Sequence, residues 1–383
     1  MSAVRPFAIA LLAGLVVTAH FALAKQSEWN GTIILENVLA NPVKILPGTN
    51  IPLSLPRTGL DKLDNFFAFM AAFFHTTLDS RNVRAHWQGN HLLGTLSSIW
   101  IMMLSEAHGS TSTGFFFATY FFEVMGELLG IGLFTPIWAI THLLMVRNPT
   151  ETVTKPTAAP SGHSKALGYA LMIGHVVPSA FLLRTQPDGQ GILSQPLWAI
   201  IRLFHPVWVY VAWKTITVLG GKSAASLSIQ PAFFTRRKFY VFSILASGIF
   251  HITSLAYLLS GHLASGWLKE DVVAVLDART VLIPTQFYPE SVVQKVPFET
   301  GVAIFLQWDY LCSSAAIVIW AATLSAEAIS ASKKKSGGSV LETYAQAGLV
   351  SILAGPGAAA AFLLQERDAV LAAPVELVEK KRQ

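Results

Sequence analysis

One carboxylate stands where a carboxylate is costly. The stretch Gly301 to Leu324, GVAIFLQWDYLCSSAAIVIWAATL, is long and apolar enough to span a bilayer, and Asp309 interrupts it. A carboxylate at that depth costs about 2.5 kcal/mol or more, so it faces a cavity or a partner and marks function. Glu123 and Glu127 lie four apart in FATYFFEVMGELLG, a spacing that puts both on one helix face with Tyr120 beside them. Two carboxylates held together at low dielectric do not both ionise readily, which leaves a neutral acid able to give up a proton. The structural alternative is that the pair hydrogen-bonds across a bundle as glue. Asp64, in LDNFFAFM, is a further candidate acid, or else a helix N-cap near the membrane surface.

Other polar groups carry weaker signals. Glu106 and His108 end a span in LSEAHGS and need no special partner there. Asp79, Arg81 and Arg84 read as a polar loop, with contact to an anionic headgroup as the alternative. His142, His175, His205 and His251 lie in or at the ends of spans, but no H-E-x-x-H or clustered histidine box is present. They are expected as hydrogen-bonded core residues, and no metal or cofactor is expected. Gly220-Gly221-Lys222-Ser223 echoes the end of a P-loop, but Ile216 stands where the first glycine must be. The absence of a D-D-x-x-D or N-D-x-x-D run argues against a magnesium-dependent ioniser of prenyl diphosphates. Cys312 is the only cysteine, so no intramolecular disulfide forms.

The elements that must position these groups are apolar helices. Pro6 to Ala24 fits a signal anchor, with a cleavable signal peptide as the alternative. Lys25 to Lys62 contains Pro42, Pro47, Pro52 and Pro56 and reads as an extended lumenal loop, with a glycosylation sequon at Asn30-Gly31-Thr32. Apolar stretches follow at Phe66 to Leu78, His91 to Leu104, Phe115 to Met145 and Leu167 to Leu183. Four more lie at Leu197 to Leu219, Phe239 to Leu263, Gly301 to Leu324 and Ala345 to Leu364. Phe115 to Met145 is too long for one straight span, and a kink or break is expected at Pro136. The expected fold is an all-α, polytopic transmembrane bundle of seven to nine segments. Its parts are an anchor at residues 1–24, the loop at 25–62, the bundle at 63–365 and a charged tail at 366–383.

Charge orients the spans. Clusters at Arg81/Arg84, at Arg147/Lys155/Lys165, at Arg236 to Lys238 and at Lys333 to Lys335 can all be cytosolic, which puts Ala264 to Thr300 and the sequon in the lumen. The ending Lys380-Lys381-Arg382-Gln383 resembles a dilysine endoplasmic-reticulum retrieval signal, although this count leaves it on the lumenal side. Thr150 to Ser164 and Ser330 to Ser339 read as connectors. Charged residues make up 13% of the chain, against about 25% in soluble domains, so its net charge of +5 reflects loop lysines and arginines rather than nucleic-acid binding.

An intramembrane acid without a metal, an aromatic-rich apolar interior and no diphosphate motif suit one chemistry. They fit protonation of an alkene or epoxide followed by carbocation cyclisation, with aromatic faces steadying the cation. The chain resembles fungal membrane-bound terpene cyclases of meroterpenoid pathways, of the ascofuranone and ascochlorin type. The resemblance rests on length and span pattern, WNGT at Trp29 to Thr32, LDNFFAFM at Leu63 to Met70 and FLQWDYL at Phe305 to Leu311. It implies a lipophilic prenylated substrate with a farnesyl-like, often epoxidised chain, made by an upstream prenyltransferase and epoxidase, and cyclisation without a metal. It also implies an essential acid in an early span and another in a late one. Asp309 fits the late one, while Glu123, Glu127 and Asp64 compete for the early one. Two other readings stay open: an emopamil-binding-type sterol isomerase, and a proton-coupled transporter carrying protons on Glu123, Glu127 and Asp309.

Overall fold

The computed structural model describes residues 4–109, 113–145, 161–185, 194–219, 232–263, 266, 270–285, 295–331 and 340–380. Among these the fold is all-helical, with one isolated β-bridge between Ile45 and Pro52. Helix α1 runs Val4–Trp29 through a π-helical turn at His20–Lys25, and the short α2 is Leu35–Ala40. Then come α3 (Asp61–Leu78), α4 (Val83–Gly109), α5 (Thr113–Leu129) and α6 (Ile131–Met145). Helix α7 combines Ser161–Leu171, a π-turn at Met172–Val176 and Val177–Arg184. It is followed by α8 (Gln195–Leu203), α9 (His205–Leu219) and α10 (Ala232–Leu263). The short α11 (Glu270–Val275) and α12 (Ala278–Leu282) precede α13 (Phe298–Ala331), α14 (Val340–Ala354) and α15 (Pro356–Lys380).

Helix α13 is the axis. It packs against α15, α6, α4 and α1, while α10 packs on α4 and α15. The contact layers are built from small residues. Ala316, Ala321 and Ala322 on α13, and Ala358 to Ala361 on α15, are fully buried, which lets helix backbones approach closely. Helix α1 belongs to this bundle. Arg5 donates through Nε to Glu327 Oε1 at 2.8 Å and through Nη1 to the Leu143 carbonyl at 2.9 Å.

Among the described residues, four helices are long and apolar enough to cross a membrane: Val4–Trp29, Ala166–Arg184, Arg236–Ser260 and Phe298–Ala331. That is fewer than the expected seven to nine, because helices such as α3 and α4 mix polar residues into their apolar faces; Ile131–Met145 and Val340–Ala354 are apolar but shorter.

The break expected at Pro136 falls elsewhere. Helices α5 and α6 separate at Gly130, whose φ of +108° suits glycine alone, and Pro136 continues inside α6. The later break at Gly355-Pro356 follows the same logic, with Gly355 at φ +88° and proline opening α15.

The segment from Lys25 to Lys62, expected as an extended loop, carries the last turn of α1 and the helix α2. It meets the stretch before α13. Lys295 Nζ donates to the Trp29 carbonyl and the Val296 N–H to the Asn30 carbonyl, so the two loops read as lumenal lie on one side of the bundle. Asn30 of the sequon is 3% exposed, and its Oδ1 accepts from the Thr32 N–H and hydroxyl. The expected charged tail begins inside α15, where Arg367 and Asp368 are buried. A hydropathy reading takes two adjacent opposite charges for solvent-facing ones, whereas here they satisfy each other. The P-loop echo, the Lys333 to Lys335 cluster, the Arg147 and Lys155 positions and the last three residues of the chain lie outside the described residues.

Candidate active site

Asp309 is buried in the middle of α13. Its Oδ1 accepts from the Gly132 backbone N–H at 2.6 Å, so it caps the start of α6 from another helix. Helix N-termini leave unsatisfied N–H groups and favour negative charge, which explains the pairing. The approach requires glycine. A Cβ at Gly132 would lie 2.9 Å from the Asp309 carbonyl oxygen, and one at Gly130 would lie 3.0 Å from Asp309 Oδ1.

Ser313 donates to the Asp309 carbonyl, and Leu306 lies one turn before Asp309 on the same helix. Trp308 donates instead to the Thr285 carbonyl, and the Tyr310 ring stacks on His91 at 4.2 Å between centroids.

Glu127 is the hub of a polar cluster. Its Oε1 accepts from Trp100 Nε1 at 3.0 Å and pairs with Arg202 Nη1 at 3.0 Å, while His205 Nδ1 lies 3.4 Å away. Glu123, one turn earlier on α5, is fully buried, and neither of its carboxyl oxygens bonds a described residue. An isolated carboxylate without compensation is expensive to bury.

Asp64 stands apart. It sits in the first turn of α3, where its Oδ1 accepts from the Thr58 N–H at 2.8 Å and the Thr58 hydroxyl at 2.7 Å. These bonds hold its carboxyl below the ordinary range. It ties the preceding loop to α3 rather than serving as the N-cap, which is Leu60. Asp79 is likewise local. Burial pushes its carboxyl up, but the Arg81 fork, at 2.7 to 3.0 Å, outweighs this and holds it below its ordinary value. Arg84 reaches Gln307 Oε1 at 3.3 Å.

Beside the acid cluster lies a partly open cavity between α3, α4, α7, α8 and α13. Its wall is mainly apolar, including Phe73, Phe74, Leu93, Leu182 and Leu306, and its charged lining residue is Arg202. That apolar lining, with few polar groups, suits a lipophilic small molecule. Phe73 meets Phe305 edge-on at 5.5 Å, which puts aromatic faces close to the turn bearing Asp309.

Sequence reasoning missed two features. Arg202 was passed over although it interrupts the apolar run Leu197 to Leu219 as Asp309 interrupts its own, and the same test would have found it. The second is a buried network at another level of the bundle. Arg367 Nη2 donates to Glu106 Oε1 at 2.7 Å and pairs with Asp368 Oδ1 at 2.6 Å. Arg236 Nη1 lies 3.7 Å from Glu106 Oε1, and the Tyr240 hydroxyl donates to Glu106 at 3.3 Å and to Asp368 at 3.2 Å. His142 Nδ1 accepts from Trp320 Nε1, and its Nε2 faces Glu106. Among the described residues, no group of three or more His, Cys, Asp or Glu side chains is arranged to hold a metal ion.

Residues 7–372 match the CtvD domain family, and the chain belongs to it. It is 24% identical over 324 residues to terpene cyclase ascI of Acremonium egyptiacum, covering 81% of this chain and 78% of that protein. It is 26% identical over 321 residues to terpene cyclase janA of Penicillium janthinellum, covering 81% of each. A third relative, terpene cyclase verU1 of Penicillium polonicum, is 25% identical over 292 residues, covering 73% of this chain and 72% of that protein. The resemblance to fungal terpene cyclases read from short motifs is borne out by these matches. No solved structure is significantly similar to the chain.

Proposed function

We propose that the protein is a terpene cyclase that closes rings on a prenylated meroterpenoid by acid catalysis, without a metal, inside the endoplasmic-reticulum membrane. The observation that carries this reading is the apolar cavity whose wall includes Leu306, one helical turn from Asp309, and whose charged end, Arg202, is backed by Glu127. The terpene cyclases among the relatives support the reaction class. The missing diphosphate motif supports an uncharged trigger.

The substrate is a farnesyl chain, epoxidised at its end, on an aromatic or pyrone core, supplied by a prenyltransferase and an epoxidase. A carboxyl proton moves to the epoxide oxygen and the C–O bond breaks. Alkene electron pairs then form the new C–C bonds, and the last cation loses a proton or is captured by a hydroxyl. The product is an isomer of the substrate. Asp309 or one of the Glu123/Glu127 pair is the donor, and the second carboxyl stabilises the cation or takes the final proton. The surrounding helices, in our reading seven to nine membrane segments, keep water from the cation.

The test is a yeast microsomal assay with a farnesylated phenol and its terminal epoxide, read by mass spectrometry. An isomer formed by wild type, and reduced about 100-fold or more in Glu123→Gln and in Asp309→Asn, is the expected result. Well-expressed protein that converts neither compound, or that instead moves a double bond in a sterol, overturns the reading.

A further inference from the structure

Among the described residues, Arg202 is the one charged residue on the cavity wall, and it is only 3% exposed. A guanidinium carries five N–H donors in a planar fork. Here Nη1 is fully engaged, donating to His205 Nδ1 at 2.8 Å and pairing with Glu127 Oε1 at 3.0 Å. The opposite edge, Nε and Nη2, bonds no described residue, and neither atom is among those sealed from all access. The cavity's hydroxyls do not meet that edge. Thr77 donates to the Phe74 carbonyl and Ser179 to the His175 carbonyl, each within its own helix.

The fork is held rigidly. Glu127 is fixed by Trp100, and His205 packs on His175 with ring centroids 4.6 Å apart. His175 Nε2 in turn meets the Ser97 hydroxyl at 3.1 Å. Because a guanidinium only donates, His205 Nδ1 acts as the acceptor, and its ring is set by Arg202 rather than the reverse. A buried guanidinium with an unused edge in an apolar cavity is a group waiting for an oxygen, since a charged donor left without an acceptor is costly.

We propose that Arg202 anchors the oxygen-bearing end of the substrate, an acidic or strongly accepting oxygen carried on an apolar chain. This rests on the reading of the cavity as a substrate site and adds the end at which the substrate is held. Anchoring the head at Arg202 lays the chain along the wall of Phe73, Phe74 and Leu306 toward the helix turn of Asp309. A phenol or enol on a prenyl chain has this chemistry, and so does a fatty acid from the membrane. Arg202 is therefore a positioning residue for the chain as well as a contact for the head.

Direct binding tests this without requiring turnover. Full-length protein in detergent is probed with tritiated farnesylated phenol and, separately, tritiated palmitate. Each is competed by the phenol, its O-methyl ether and the plain farnesyl hydrocarbon. The proteins are wild type, Arg202→Gln, Arg202→Lys and the double variant Arg202→Gln/Glu127→Gln, which leaves no uncompensated charge if the single change disturbs folding. Wild type should prefer the phenol over the hydrocarbon about 10- to 100-fold. The preference should vanish in both glutamine variants and shrink in Arg202→Lys, which keeps the charge but loses the fork. Palmitate bound with the same Arg202 dependence, and no phenol binding, supports the anchor while overturning the meroterpenoid reading. A preference that persists in folded glutamine variants, or wild type that binds neither probe, overturns the anchor itself.

Discussion

Two of the buried charge clusters among the described residues are built on opposite plans. Around Glu106 the charges balance: Glu106 and Asp368 face Arg236 and Arg367, with Tyr240 bridging the acids. Around Glu127 they do not. Glu127 pairs with Arg202, which also faces the cavity, while Glu123 bonds no described residue and Asp309 accepts from a backbone N–H. A balanced buried network contributes to holding helices in register, since removing any one member strands its partner. An acid surplus does little for stability. The difference separates scaffold from chemistry without reference to sequence motifs.

Removing one member of each cluster should produce opposite effects. Arg367→Ala strands Glu106 and Asp368 and should cost about 3 to 5 kcal/mol, seen as a large fall in detergent melting temperature and a poor gel-filtration profile. Glu123→Gln, measured the same way, should melt at or above the wild-type temperature despite its loss of turnover. Equal destabilisation of the two variants would erase the distinction. A smaller effect is expected where the acid cluster touches the scaffold. Gly132→Ala drives a methyl group against the Asp309 backbone and should cost about 1 to 3 kcal/mol, with activity falling further than that loss of folded protein explains. The smallest effect belongs to Asp64, outside both clusters. Its carboxyl is held below an unfolded value of about 3.9, so its contribution is present above that pH and is lost as pH falls through the folded value. Melting curves of wild type and Asp64→Asn should differ slightly at pH 7 and converge near pH 3.

Much of this organisation was legible in the chain. Asp309 announced itself by interrupting an apolar run, and the four-residue spacing of Glu123 and Glu127 placed them on one face of α5. The break between α14 and α15 at Gly355-Pro356 instead divides the stretch Ala345 to Leu364, which the sequence offers as one. What escaped notice was every pairing between distant segments. Nothing local says that Arg202 meets Glu127, or that Arg367 meets Glu106 across 261 residues. Hydropathy averages over windows, and a buried ion pair looks in each window like two exposed charges. Proline misled for a related reason. Pro136 carries the stronger breaking signal, but the chain turns at Gly130, because only there does a neighbouring helix supply Asp309 to satisfy the exposed N–H.

That last arrangement has a consequence in time. The first turn of α6 is completed by a side chain 177 residues further along. At roughly 5 to 20 residues per second, translation delivers Asp309 about 9 to 35 s after Gly132 has been made. Arg5 waits longer for Glu327, 322 residues downstream. The early helices must therefore persist in the membrane with their charges unmatched until the last quarter of the chain arrives, and a pause or truncation before α13 leaves both orphaned at once.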